Sequence, residues 1–382
     1  MVRRKALFLT TLLAFSLLVA NSRACASPFL STTAKSAVLM EAHHGQILGE
    51  KELHRKQPIA SMVKLMTLLL AVEAVEQGKV RLADKVTASE HAASMGGSQI
   101  FLAPEEVMSF RDLLIAVATA SANDASVAVA EHVAGSEEAF VAAMNAKARA
   151  LGMENTHYVN ATGLPAEGQY STAYDQALLL REALKHPLFL ELAQIKEYSL
   201  RGGKFKLYNT NKLLWWYRGT IAGKTGWTEE AGYCLASAAK RQGLTLITVV
   251  LGCPEPRSHF RESIKIYNWG FARYQAVPLL PEGARVATLP VEKGMEDRVD
   301  ILTSREVVLV VPRGEDKGIT QQAELPRSLK APLQQGEKVG YWIVKQGGQE
   351  KLRVSLVTAC EVAETDFYTT LRKVFRRITK GP

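Results

Sequence analysis

The stretch from Tyr233 to Leu251 constrains the fold of this chain most. Tyr233 to Ala239 is small and partly apolar, Gln242-Gly243 supplies a turn, and Leu244 to Leu251 is rich in β-branched residues. That pattern predicts a β-hairpin. It also bears on "GTIAGKTGW", Gly219 to Trp227, just upstream. Gly-Lys-Thr belongs to a phosphate-binding loop only when four residues separate its glycines and a helix follows. Here three residues separate Gly219 from Gly223, and a hairpin follows. Lys224-Thr225-Gly226 is therefore predicted to start a strand, where a lysine, a hydroxyl and a bare backbone serve some other chemistry.

The rest of the chain alternates in character. Two strands are expected within residues 31–56, with a turn near His44-Gly45. Ser61 to Gly78 reads as a long helix, and residues 111–134 as mostly helical with a break around Ser121–Asp124. Ser136 to Gly152 begins with an N-cap serine and glutamates and stops at glycine. Ser171 to Pro187 follows the same rule, and strands return from about residue 197. A helical middle flanked by strands predicts an α/β (α+β) fold, a helical layer packed on one antiparallel sheet. Near residue 280 short β-rich runs begin to alternate with Gly, Pro and charged turns, as far as Cys360. The expected division is a signal over 1–26, a main domain over 27–280, an all-β domain over 284–362 and an amphipathic helix over 363–382.

With 382 residues, 47% of them hydrophobic, the chain can bury a substantial core. Its net charge of +9 lies at the ends: Arg3, Arg4, Lys5 and Arg23 near the start, and Arg372, Lys373, Arg376, Arg377 and Lys380 near the finish, with no acids among them. The body between is neutral, which argues against nucleic acid as a partner. "MVRRK", the apolar run "ALFLTTLLAFSLLVA" and "ACA" before Ser27 form an export signal cleaved after Ala26. At the other end Phe367, Leu371, Val374, Phe375 and Ile378 fall on one helical face, opposite the basic residues. Such a helix lies on an anionic membrane surface. Cys234, Cys253 and Cys360 remain after cleavage, an odd count without C-x-x-C, so neither a metal site nor a disulfide framework follows. Whether Cys234 and Cys253 bond stays open. His43-His44 and His54 lack zinc-ligand spacing, and no metal or cofactor is expected.

Three motifs carry chemistry. Ser61 and Lys64 in "PIASMVKLMT" stand three apart near a helix start and share a face. A neutral lysine amine, its pKa lowered by burial or nearby positive charge, takes a serine proton. Ser121 and Asn123 in "SANDA" sit in the helical break, a hydroxyl to relay protons and an amide to hold a carbonyl. Lys224 and Thr225 offer charge and a hydroxyl to a terminal carboxylate. Gly226 removes a side chain where an extended substrate pairs with the strand. The N–H groups of Ser61 and Trp227 are candidate oxyanion donors.

The order S-x-x-K, S-x-N, K-T-G resembles that of the low-molecular-mass penicillin-binding proteins, the serine-type D-alanyl-D-alanine carboxypeptidases. "GGSQIFLAPEE", "NATGLP", "STAYD", "GKTGWTEEAGYC" and "NWGF" also look like that family, in its order, and the resemblance is strong over residues 30–275. It implies a penicillin-binding/β-lactamase-like transpeptidase domain with an antiparallel sheet and a helical cluster. It implies that Ser61 attacks the carbonyl between two terminal D-alanines of a peptidoglycan stem peptide, with Lys64 as base and Ser121 and Asn123 assisting. Lys224 and Thr225 would bind the substrate carboxylate, and β-lactam antibiotics would acylate Ser61. The implied location is the outer face of the bacterial cytoplasmic membrane. Alanine between Ser121 and Asn123 fits the carboxypeptidases, whereas Trp227 departs from the residue more usual after K-T-G. Ser98, Gln99 and Arg257 are further candidates for the cleft. Alternative readings are a D,D-endopeptidase, a β-lactamase or a non-catalytic wall-binding protein. The E-x-x-L-N segment of class A β-lactamases does not occur between residues 125 and 200.

Overall fold

A computed structural model describes residues 28–365 of the protein. The expected signal and the amphipathic run beyond residue 365 lie outside the described residues. Strands β1 (Ser36–Glu41) and β2 (Ile47–Lys51) form a hairpin. After a long helical stretch come β3 (Thr220–Thr228), β4 (Gly232–Arg241) and β5 (Leu244–Cys253). Lys224 is expected to start its strand, but β3 begins at Thr220 because the residues ahead of the lysine already pair with the end of β4. The five make one antiparallel sheet in the order β2-β1-β5-β4-β3, so β3 is an edge. Alternation along the strands explains why both faces are covered. Val38, Met40, Ile247 and Val249 pack on one side, and Ala37, Leu39, Leu246 and Val250 on the other.

The first face carries α1 (Lys64–Glu76), α2 (Phe110–Thr119), α3 (Asn123–Ala134), α4 (Glu137–Ala150), α5 (Ala173–Ala183) and α6 (Pro187–Gln194). Ser136 Oγ caps α4 through the N–H of Ala139, as its position predicts. For α5 the cap is Thr172 rather than Ser171, whose hydroxyl faces Gln176. Proline 187 does not only end α5; it opens α6, where a missing N–H is harmless. The second face carries α7 (Ser258–Arg273), which interrupts the expected return to strands. Its signal is Phe260, Ile264, Tyr267 and Phe271 at helical spacing, all packed on the sheet. Buried Tyr267 also shares hydrogen bonds with Ser237 on β4.

Next come β6 (Tyr274–Leu280), β7 (Arg285–Glu292), β8 (Arg298–Thr303), β9 (Val307–Pro312), β10 (Ile319–Glu324), β11 (Leu329–Lys330), β12 (Lys338–Gln346) and β13 (Gln349–Thr358). Six of them form a sheet in the order β10-β12-β13-β8-β7-β11, and β6 pairs with β9. The strand that leaves α7 thus belongs by pairing to this C-terminal all-β unit. Arg313 Nε donates to the carbonyl of Phe271, tying the β unit to α7. Glu364 bridges to Gly294, so the chain is still extended there. Among the described residues no helix is long and apolar enough to cross a membrane. Cys234, Cys253 and Cys360 are unbonded, and burial pushes the thiols of Cys234 and Cys253 up to about 12, which makes them poor nucleophiles.

One buried carboxylate links fold to site. Asp124, on the first turn of α3, accepts the N–H groups of Ile100, Leu102 and Ala125. It therefore holds the loop that carries Ser98. Replacing Asp124 with Ala leaves two loop donors buried and unpaired, an expected loss of about 3 kcal/mol and roughly 6–12 °C in Tm. Thermal unfolding of Asp124→Ala measures it, and a loss no larger than that of a surface substitution would show that the loop is held otherwise.

Candidate active site

Ser61 lies in a single 3₁₀ turn, Ala60–Val63, and Lys64 is the first residue of α1. The expected helix start is thus shifted by one turn, but the three-residue offset still faces the two side chains toward each other. Ala60 has a φ of 50°, a left-handed conformation costly for a residue with a Cβ. The turn is pinned from outside at Gly163, where a Cβ would come within 2.1 Å of the Ala60 carbonyl oxygen.

Lys64 is fully buried. Its Nζ lies 3.0 Å from Ser61 Oγ and 2.6 Å from Asn123 Oδ1, and it also donates to the carbonyl of Thr162. Two of these partners only accept, whereas the hydroxyl both donates and accepts. A neutral amine has two donors and one lone pair. It fits the site by donating to Asn123 and Thr162 and accepting the proton of Ser61. Burial holds the Lys64 amine well below the usual lysine range, and the nearby charge of Lys224 lowers it further, against a smaller opposing pull from Asp124.

Ser121 sits in the gap between α2 and α3 with a φ of 60°, a second strained residue at the cleft. Asn123 opens α3, with its N–H on the Ser98 carbonyl at 2.6 Å and its Nδ2 on the Gly96 carbonyl at 2.7 Å. Across the cleft, Lys224 on β3 donates to Ser121 Oγ at 2.7 Å and to the Thr225 carbonyl at 2.9 Å. Burial pushes the Lys224 amine down to about 7. Alternation along β3 turns Lys224 and Gly226 toward the helical layer and Thr225 and Trp227 away from it. Gly226 is needed because a Cβ would lie 2.6 Å from the Ile59 carbonyl oxygen. Thr225 Oγ1 donates to Thr210 Oγ1 at 2.9 Å, and Trp227 is 58% exposed.

A cleft of about 470 Å³ runs past Ser61, Ser98, Ser121, Thr225, Gly226, Trp227 and Arg257. Gln99 is not on its lining. The two lysines stand behind the serines, and neither lines the opening. Sequence reasoning missed Tyr208, Thr210, Lys212, Trp216, Tyr233, His259 and Phe260, which complete the wall. No local pattern marks them, since they come from three segments that only the fold brings together. Two hydroxyls, each backed by a buried amine and flanked by an open strand edge, suit nucleophilic attack on an extended peptide-like substrate.

Comparison with known proteins identifies the family. Residues 21–255 match the D-alanyl-D-alanine carboxypeptidases of peptidase family S11, and residues 274–364 match the C-terminal domain of penicillin-binding protein 5. The chain is 39% identical over 355 residues to D-alanyl-D-alanine carboxypeptidase DacF of Bacillus subtilis, covering 92% of this chain and 91% of that protein. It is 35% identical to DacC of Escherichia coli, covering 88% and 86%. Among solved structures, penicillin binding protein 5 from Haemophilus influenzae superposes with a TM-score of 0.75 at 31% identity, over 87% of this chain and 98% of that one.

The depressed amine of Lys224 has a consequence for stability. Unfolded, the lysine titrates at its ordinary value, so between pH 7 and 10.5 the unfolded chain binds the extra proton. The stability of the wild type relative to Lys224→Met is therefore expected to rise across that window, by at most about 1.4 kcal/mol per pH unit. Urea denaturation at several pH values reads the difference, and a flat or falling one would mean the buried lysine stays charged.

Proposed function

The chain belongs to peptidase family S11, the D-alanyl-D-alanine carboxypeptidases, and from that premise we propose how its own residues carry the reaction. The protein is a penicillin-binding serine hydrolase acting on peptidoglycan. In our reading Ser61 Oγ attacks the carbonyl carbon of the terminal D-alanyl-D-alanine amide, while neutral Lys64 takes its proton. The N–H groups of Ser61 and Trp227 receive the developing oxyanion, worth about 3 kcal/mol per donor. Ser121 passes a proton to the leaving nitrogen, and the proton that Lys64 took from Ser61 replaces it while Lys224 holds the Ser121 hydroxyl, so that Lys64 is neutral again. D-Alanine departs, and Ser61 keeps the acyl group as an ester. Water, deprotonated by Lys64, then cleaves the ester and restores the hydroxyl. Thr225 is the direct grip on the terminal carboxylate, and Lys224 supports it from behind. Asn123 holds both Lys64 and the substrate amide. β-Lactams follow the first half of this path and stop at the ester.

The observation that carries this reading is the contact between Ser61 Oγ and a fully buried lysine amine whose other two partners only accept. We further propose that the catalytic domain runs from residue 27 through α7 and that the β domain begins with β6, which pairs with β9, rather than at residue 284. The tail from 363 onward leads into a basic amphipathic helix that holds the exported enzyme on the anionic outer face of the cytoplasmic membrane.

Ser61→Ala is expected to abolish labelling by fluorescent penicillin and to lower D-alanine release from a pentapeptide by roughly 10³-fold or more. A folded Ser61→Ala protein that still releases D-alanine at the wild-type rate would end the assignment. Acylation of the wild type is expected to rise with pH as Lys64 loses its proton, with an apparent pKa below that of ordinary lysine. Stopped-flow acylation by a β-lactam measures this, and a rate falling with pH would contradict Lys64 as base. Deleting residues 366–382 is expected to move the active enzyme from the membrane to the soluble fraction, and unchanged retention in cell fractionation would exclude the anchor.

A further inference from the structure

A second cleft, of about 780 Å³, lies at the other end of the β3–β4 hairpin, about 20 Å along the strand from Thr225. It is lined by Arg218, Lys240, Arg241 and Arg313, with Asn268, Gln242 and Phe271 between them. Four cations meet there and no carboxylate lies on the lining. The concentration is not a by-product of a basic surface, because the net charge of the chain is carried by its two ends and the body is neutral. Among the described residues none of the four takes part in an ion pair.

Their arrangement is built rather than loose. The Arg241 guanidinium lies over the ring of Tyr217, 4.0 Å from its centroid, and 5.0 Å from that of Phe271. Its Nε donates to the Arg218 carbonyl at 3.0 Å. Arg313 Nε is held by the Phe271 carbonyl at 3.0 Å. In both arginines the Nε anchors the group and the terminal nitrogens remain for a ligand. Asn268 accepts the Tyr217 hydroxyl at Oδ1, which keeps Nδ2 as a further donor. Lys240 and Arg241 come from β4 and Arg218 from the turn before β3, whereas Arg313 comes from the loop after β9. A ligand here bridges the catalytic and β units.

We propose that this cleft is a binding site for a phosphate-bearing anion, separate from the catalytic cleft. Planar guanidinium groups with free terminal nitrogens match phosphate oxygens in pairs, and the Tyr217 and Phe271 rings orient Arg241 for this. The volume suits a phosphodiester headgroup or a soluble phosphate of similar size.

Isothermal titration of the full-length mature chain with inorganic pyrophosphate and with glycerophosphoglycerol tests the site. Saturable binding that weakens as salt rises is expected. The Arg218→Gln, Lys240→Gln double variant alters two exposed side chains, so folding is not at issue. It is expected to weaken binding at least about tenfold while D-alanine release is unchanged. Arg313→Gln tests the contribution of the β unit in the same way. Flotation with phosphatidylglycerol vesicles, done with chains that lack residues 366–382 so that the proposed anchor does not hold them, distinguishes the sources. Weaker flotation of the double variant than of the wild type identifies a lipid headgroup, and equal flotation with weakened soluble binding identifies a free phosphate. The proposal is overturned if the wild type binds neither soluble probe and floats like the double variant, or if the variants bind all probes as the wild type does.

Discussion

Two lysines buried behind two serine hydroxyls are the constraint on which the rest of this structure depends. An ammonium group removed from water is costly, and a second one close by makes each less favourable. A chain relieves that cost by letting the amine lose its proton. Lys64 and Lys224 are both placed so that relief and function coincide. Each amine has a serine hydroxyl within hydrogen-bond reach, and the remaining partners are carbonyl or amide oxygens. Asp124, whose charge reaches Lys64, is occupied with three backbone N–H groups and so steadies a loop.

The fold supplies that burial through an edge. β3 pairs with β4 on one side only, and its other side faces the 3₁₀ turn of Ser61 and leaves room for an extended chain. The turn and the strand approach so closely that glycine is required at 226 and again at 163. The sheet tolerates a functional edge because its interior is secured elsewhere. Helices cover one face, α7 covers the other, and the β unit reaches back to α7 through Arg313. Local strain at Ala60 and Ser121 falls beside the two hydroxyls, where rigid surroundings keep it in place.

Much of this was readable in one dimension. The hairpin of β4 and β5, the gap between α2 and α3 and the N-cap of α4 follow from turn residues, polar breaks and capping chemistry that act over a few positions. The pairing of Ser61 with Lys64 is equally local, since a single helical turn sets it. What stayed hidden depends on distance. The helix α7 was obscured because its apolar residues are spaced among charges and aromatics between two strand-rich regions. The Thr162 carbonyl has no sequence signature, since every residue has a carbonyl. Tyr208, Tyr233 and His259 reach the cleft only after three segments fold together around it.

By itself the sequence determined which groups are available and at what local spacing: a hydroxyl and an amine one turn apart, a second hydroxyl in a helical break, a lysine and a hydroxyl side by side on one strand. Tertiary structure alone decided that these groups are dry and mutually hydrogen-bonded, and that Lys224 supports Ser121 rather than opening onto the cleft. The reason is that spacing along a chain is a covalent property, whereas desolvation, and with it the proton affinity of an amine, is a property of everything packed around it.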